Sequence, residues 1–109
     1  MKYKVIYTEG AKKDLRNIFG YISEKLLAPE NAAGQAQRIM DAIRKLDTMP
    51  NRHKLYEEEP WCSQKLRFFP IDNYLVFYKA DAEIGMVYVV RIMYGGRDIN
   101  KQLSEFQNI

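Results

Sequence analysis

The chain has 109 residues, 47% of them hydrophobic and 28% charged, a mixture that suits one packed domain over residues 1–109 and excludes a disordered or fibrous chain. A net charge of +3 is compatible with an anionic partner, and no stretch approaches the roughly 18 apolar residues of a membrane span. A single cysteine, Cys62, precludes an intrachain disulfide, and "MKYKVIYTEG" has no apolar leader core, so a cytoplasmic protein without membrane contact is expected.

In chain order, "YKVIYT" (residues 3–8) is short, β-branched and aromatic and predicts a first strand. Thr8 then offers an N-cap and Glu9 a negative charge for the first helical turn. Ala11, Leu15, Ile18, Ile22 and Leu26 recur at helical spacing and predict one buried face. "LAPEN" breaks that helix, and Pro29 suits the start of a second. Its apolar stripe is Ala32, Ala36, Ile39, Ile43 and Leu46, and it ends near Met49–Pro50. The short break implies an antiparallel helix hairpin.

The second half changes period. Residues 51–63 show no pattern and read as a loop. "KLRFF", "NYLVFYKA" and "GMVYVVRIMY" predict three strands joined by the turns "PIDN" and "ADAEIG", an antiparallel meander. "RDINKQLSEF" suits a short last helix with Asp98 as its N-cap. The order strand, helix, helix, three strands predicts an α+β fold of two layers, with helices on one sheet face and the other face open.

Several residues suggest chemistry. Alternation puts Lys65, Arg67 and Phe69 on one face of their strand, the face expected to meet solvent. Arg91 interrupts an apolar strand, where its donors require a carboxylate, such as Asp72 or Asp98, cap carbonyls, or an anion. Two arginines on one open sheet face would hold phosphate oxygens through their planar forks. Tyrosines add stacking surface for unpaired bases, although most aromatics are needed for packing. His53, the only histidine, has the chemistry of a general base, while Glu57–Glu59 reads as a solvated charge run. Cys62 has no histidine at a telling spacing, no metal-ligand spacing occurs, and no cofactor is expected. Gly95–Gly96 reads as a turn or a close backbone approach.

The order of these fragments resembles the RelE/ParE superfamily of type II toxin–antitoxin toxins, in the group called plasmid stabilisation proteins. "TEGAKKDLRNIFGYI" is similar to the A-x-x-D-L-x-x-I-x-x-Y-I pattern at Ala11, Asp14, Leu15, Ile18, Tyr21 and Ile22. "AIRKLDTMP", "LRFFPIDNYLVFY" and "VYVVRIMYGGRD" follow in family order. The resemblance implies a strand, a helix hairpin and an antiparallel sheet, silenced by a cognate antitoxin. It implies first a ribosome-dependent endoribonuclease that cuts mRNA without metal. The alternatives are a ParE-like poison of DNA gyrase with no catalysis of its own, or a decayed toxin that only binds antitoxin. Carried over by position, Arg67, Arg91 and Tyr94 are the catalytic candidates and Lys54 and Lys65 the RNA-binding ones, with His53 and Arg97 as further RNA-binding candidates. No Glu–His pair stands at the site, and "RIMYGGRD" is similar to the ParE-side ending R-I-x-H-G-x-R-D, with Tyr94 in place of His.

Overall fold

The computed structural model describes residues 2–95 together with Ile99 and Leu103. Strand β1 (Lys4–Tyr7) leads through Thr8 into helix α1 (Glu9–Gly20). The Thr8 hydroxyl caps α1 by accepting from the Ala11 N–H at 3.2 Å. A π-helical turn, Tyr21–Lys25, extends α1. Helix α2 (Pro29–Arg44) starts on its proline and ends in a 3₁₀ turn at Lys45–Asp47. A second 3₁₀ turn, Pro50–Arg52, leads to β2 (Lys54–Leu55), followed by β3 (Arg67–Ile71), β4 (Tyr74–Asp81) and β5 (Met86–Tyr94).

The sheet order is β1-β5-β4-β3-β2, with β1 parallel to β5 and every other pair antiparallel. The α+β two-layer fold and the three-strand meander are as the sequence indicates. Residues 51–63 differ from the expected loop, because two of them pair with β3. A two-residue strand carries no readable alternation. The β3–β4 turn shrinks to Asp72–Asn73, with Asp72 at φ 54°, so Pro70 and Ile71 belong to the strand. Pro70 is tolerated because β2 reaches only to Phe68 and leaves that edge of β3 unpaired.

Helices α1 and α2 cover one sheet face. Ala11, Ile39, Ile43 and Leu46 pack there on Phe69, Val76, Tyr78, Val87, Val89 and Ile92. Leu26 departs from the predicted stripe: it is 56% exposed, because the wider π turn rotates the following residue away from the core. The expectation of an open second face also fails. Trp61, Leu66, Phe77, Val90, Met93 and Leu103 form a second core there, flanked by Tyr56, Phe68, Leu75 and Ile99. Both faces of β3 and β4 carry large apolar residues, so covering both removes more apolar surface from water than a bare sheet would. Ile99 and Leu103 are helical, whereas Gly96, Arg97, Asp98 and the rest of the expected last helix lie outside the described residues. Among the described residues, no helix is long and apolar enough to cross a membrane.

Candidate functional site

Arg91 is held by a break in the sheet. Phe77 faces Arg91 in register while the next residue, Tyr78, faces Val89, so Val90 is the extra residue of a β-bulge. Bulging frees backbone groups from the ladder, and α1 takes them up. The Thr8 hydroxyl lies 2.9 Å from the Val89 carbonyl and 3.0 Å from that of Val90. Asp14 accepts the Ile92 N–H at 2.9 Å. The same carboxylate accepts Arg91 Nε at 2.6 Å and Nη2 at 3.0 Å, a two-pronged ion pair. Arg91 is only 5% exposed. The sequence offered Asp72 or Asp98 as its carboxylate; the partner is Asp14, from the other end of the chain.

Arg67 sits elsewhere. It shares its sheet face with Phe69, as alternation requires, but Phe69 is buried under the helices. The expectation that Lys65 and Arg67 mark the solvent face is therefore overturned. Arg67 occupies the rim of the helix-covered face, half-buried, and its Nη1 donates to the His53 carbonyl at 2.7 Å. The His53 ring stacks on Phe69 with centroids 4.5 Å apart and meets Tyr78 edge-on at 6.1 Å. Burial, and then the neighbouring Arg52 charge, pull the His53 pKa below its usual value. Tyr78 is fully buried, and its hydroxyl donates to the Pro50 carbonyl at 2.5 Å. Burial pushes its pKa up to about 12 against the opposing pull of the Arg67 and Arg52 charges.

The remaining candidates scatter. Lys54 pairs with Phe68 and Leu55 with Arg67, so Lys54 and Arg67 lie on opposite sheet faces. Lys65 lies outside β3 in an exposed turn with φ 63°. Tyr94 ends β5, 48% exposed, edge-on to Tyr74 at 6.0 Å. It lines a groove of about 1480 Å³ between the helix hairpin and the sheet end, with Lys13, Tyr21, Arg38, Asn73 and Tyr74 also on its walls. Arg38 Nε, 2.8 Å from Asp72, closes one side of it; with help from Gln35, it holds the Asp72 carboxyl below the usual carboxylate range. Arg97 lies outside the described residues. Thus Arg67 and His53 come together, Arg91 and Tyr94 sit along another part of the fold, and Lys54 and Lys65 join neither. Glu59 of the charge run has a local role: it accepts from the Ser63 N–H at 2.8 Å. Among the described residues, no group of His, Cys, Asp and Glu could hold a metal.

Sequence reasoning missed Arg52, which donates to the Lys45 carbonyl at 3.0 Å beside His53. It also missed Asp14 as the partner of Arg91. The available signal was a lone carboxylate beside the apolar stripe of α1.

Residues 5–99 match the family model "ParE toxin of type II toxin-antitoxin system, parDE". Among solved structures, the chain is similar to a chromosomal ParDE system from P. aeruginosa, with TM-score 0.71 and 18% identity over 85% of this chain and 96% of that one. It is similar to the RelBE2 toxin–antitoxin complex from Mycobacterium tuberculosis, with TM-score 0.61 and 21% identity over 86% and 99%. A mutant of the E. coli toxin RelE in the free state matches with TM-score 0.67 and 12% identity over the full length of both chains. No curated protein matches the sequence. The family match extends from β1 past the end of β5, and the chain belongs to the ParE toxin family of type II toxin–antitoxin systems.

Proposed function

We propose that this toxin poisons DNA gyrase by binding, without catalysing a reaction of its own, and that a cognate antitoxin silences it. The observation that carries this reading is the state of Arg91. Its guanidinium is buried and engaged by both Asp14 oxygens, on a different part of the fold from Arg67. A phosphate-cleaving site needs charge aimed at the developing oxyanion. Freeing Arg91 for that role would leave Asp14 as an uncompensated buried carboxylate. The ParE family match and the ParE-like "RIMYGGRD" ending support the same side. The similar structures that carry antitoxins in their complexes support an antitoxin partner here. Either target implies action in the cytoplasm.

The second reading, ribosome-dependent mRNA cleavage, is favoured by Arg67, which forms no ion pair among the described residues, and by the exposed Tyr94. One pair of assays separates the two. Purified toxin added to a gyrase supercoiling reaction is expected to trap linear DNA, while mRNA on programmed ribosomes stays whole. Cleavage within the A-site codon, with gyrase unaffected, would establish the second reading. Normal growth on induction of soluble toxin without antitoxin would leave only the decayed form.

A further inference from the structure

Arg52 and Arg67 come from separate elements, a 3₁₀ turn and β3, and meet at His53: Arg52 precedes it in the chain, and Arg67 Nη1 donates to its carbonyl at 2.7 Å. Each is tethered by a single hydrogen bond to a backbone carbonyl, Arg52 to Lys45 and Arg67 to His53. Neither forms an ion pair among the described residues. Among the other described arginines, Arg38 is balanced by Asp72, Arg44 by Asp41 and Arg91 by Asp14, while Arg16, exposed on α1, forms no ion pair. Two like charges fixed near each other without a carboxylate repel, and an anion relieves that repulsion. Each guanidinium has further N–H donors beyond its carbonyl contact.

We propose that Arg52 and Arg67 form a two-pronged contact for the phosphate backbone of duplex DNA. The choice of duplex follows from the aromatic groups at this corner. Single strands are held by stacking unpaired bases on free aromatic faces. Here the His53 ring is already stacked on Phe69, and Tyr78 and Phe69 are buried. The corner therefore offers charge and fork geometry without a stacking platform, which suits backbone contact. The choice of DNA over RNA rests on the gyrase reading, in which the toxin meets an enzyme with DNA in its grip. The contact would bring the toxin to DNA-loaded gyrase in preference to the free enzyme.

The test uses toxin purified from its antitoxin and a short labelled DNA duplex, with binding read by fluorescence anisotropy across a salt series and no gyrase present. Arg52→Ala and Arg67→Ala are each expected to weaken duplex binding for every sequence tried and to lower the salt slope by about one. Lys12→Ala, on the outer face of α1, is the control for loss of one positive charge. Because Arg67 also braces the His53 carbonyl, Arg67→Lys is included; it keeps the charge and is expected to retain most of the salt slope. Circular dichroism checks that each variant is folded. No duplex binding at low salt, or equal losses from Lys12→Ala and the two arginine variants, overturns the proposal. Preferential binding of single-stranded RNA also overturns it. Because gyrase is absent, a negative result here leaves the gyrase-trapping assay to decide the target independently.

Discussion

At the scale of single residues, the Asp14–Arg91 pair carries the largest expected effects. Breaking a buried pair leaves one charge without its partner, at a cost of about 3–5 kcal/mol. Arg91→Ala and Asp14→Asn are each expected to lower the urea midpoint by a corresponding amount, whereas the double change Asp14→Leu with Arg91→Met should recover much of the loss. A midpoint unchanged by Arg91→Ala would show that the guanidinium is not bound as described. His53 gives a pH dependence of definite sign. Its folded pKa lies below its ordinary value because of burial and Arg52, so the unfolded chain takes up protons first on acidification. The His53 contribution is complete above the unfolded pKa of about 6.5, declines as the pH falls toward the folded value, and is constant below it. Denaturation at about pH 8 and about pH 5 should show a larger acid loss for the native chain than for His53→Phe. Equal losses would mean that the ring is freely solvated.

At the scale of elements, the bulge in β5 and the start of α1 act as one unit. Thr8 caps the helix and lies against two carbonyls of the bulged strand. Thr8→Val keeps the shape but removes the hydroxyl. We expect a loss of about 1–2 kcal/mol, measured as a fall in Tm, with the helix content little changed. The helices were legible because Ala11, Leu15 and Ile18 in α1, and Ala32, Ala36, Ile39 and Ile43 in α2, repeat at a single period. Leu26 escaped because nothing in "YISEK" announces a π turn. The facing of β3 escaped for a different reason. Phe68 and Phe69 are equally apolar, so alternation assigned the residues to two faces without saying which one the helices cover. The Asp14–Arg91 contact joins residues 77 apart in sequence, beyond the reach of any local pattern.

At the scale of the molecule, two cores share one sheet, and Trp61 reports on the second. β5 contributes Val89 and Ile92 to the first and Val90 and Met93 to the second, so neither core can dissolve without disturbing the other. Trp61 fluorescence and far-UV circular dichroism should therefore give coincident unfolding curves. Separate midpoints would show that the second core is a detachable cover. Composition and the order of elements were enough to suggest the layered architecture. They did not reveal that the apparent loop supplies Tyr56 and Trp61 to a core, because those residues carry no period of their own.

The parallel pairing of β1 with β5 bears on how the toxin is made. β1 has no partner until the last strand is available, and the bulge carbonyl met by Thr8 lies 82 residues further along the chain. On the ribosome, the opening strand must wait until β5 has been made, since no earlier segment supplies its ladder. Pairing across so long a stretch also slows folding relative to a local hairpin. The sheet is therefore closed only when its two ends in the chain have met, and an antitoxin that reads the finished sheet has nothing to bind before that event.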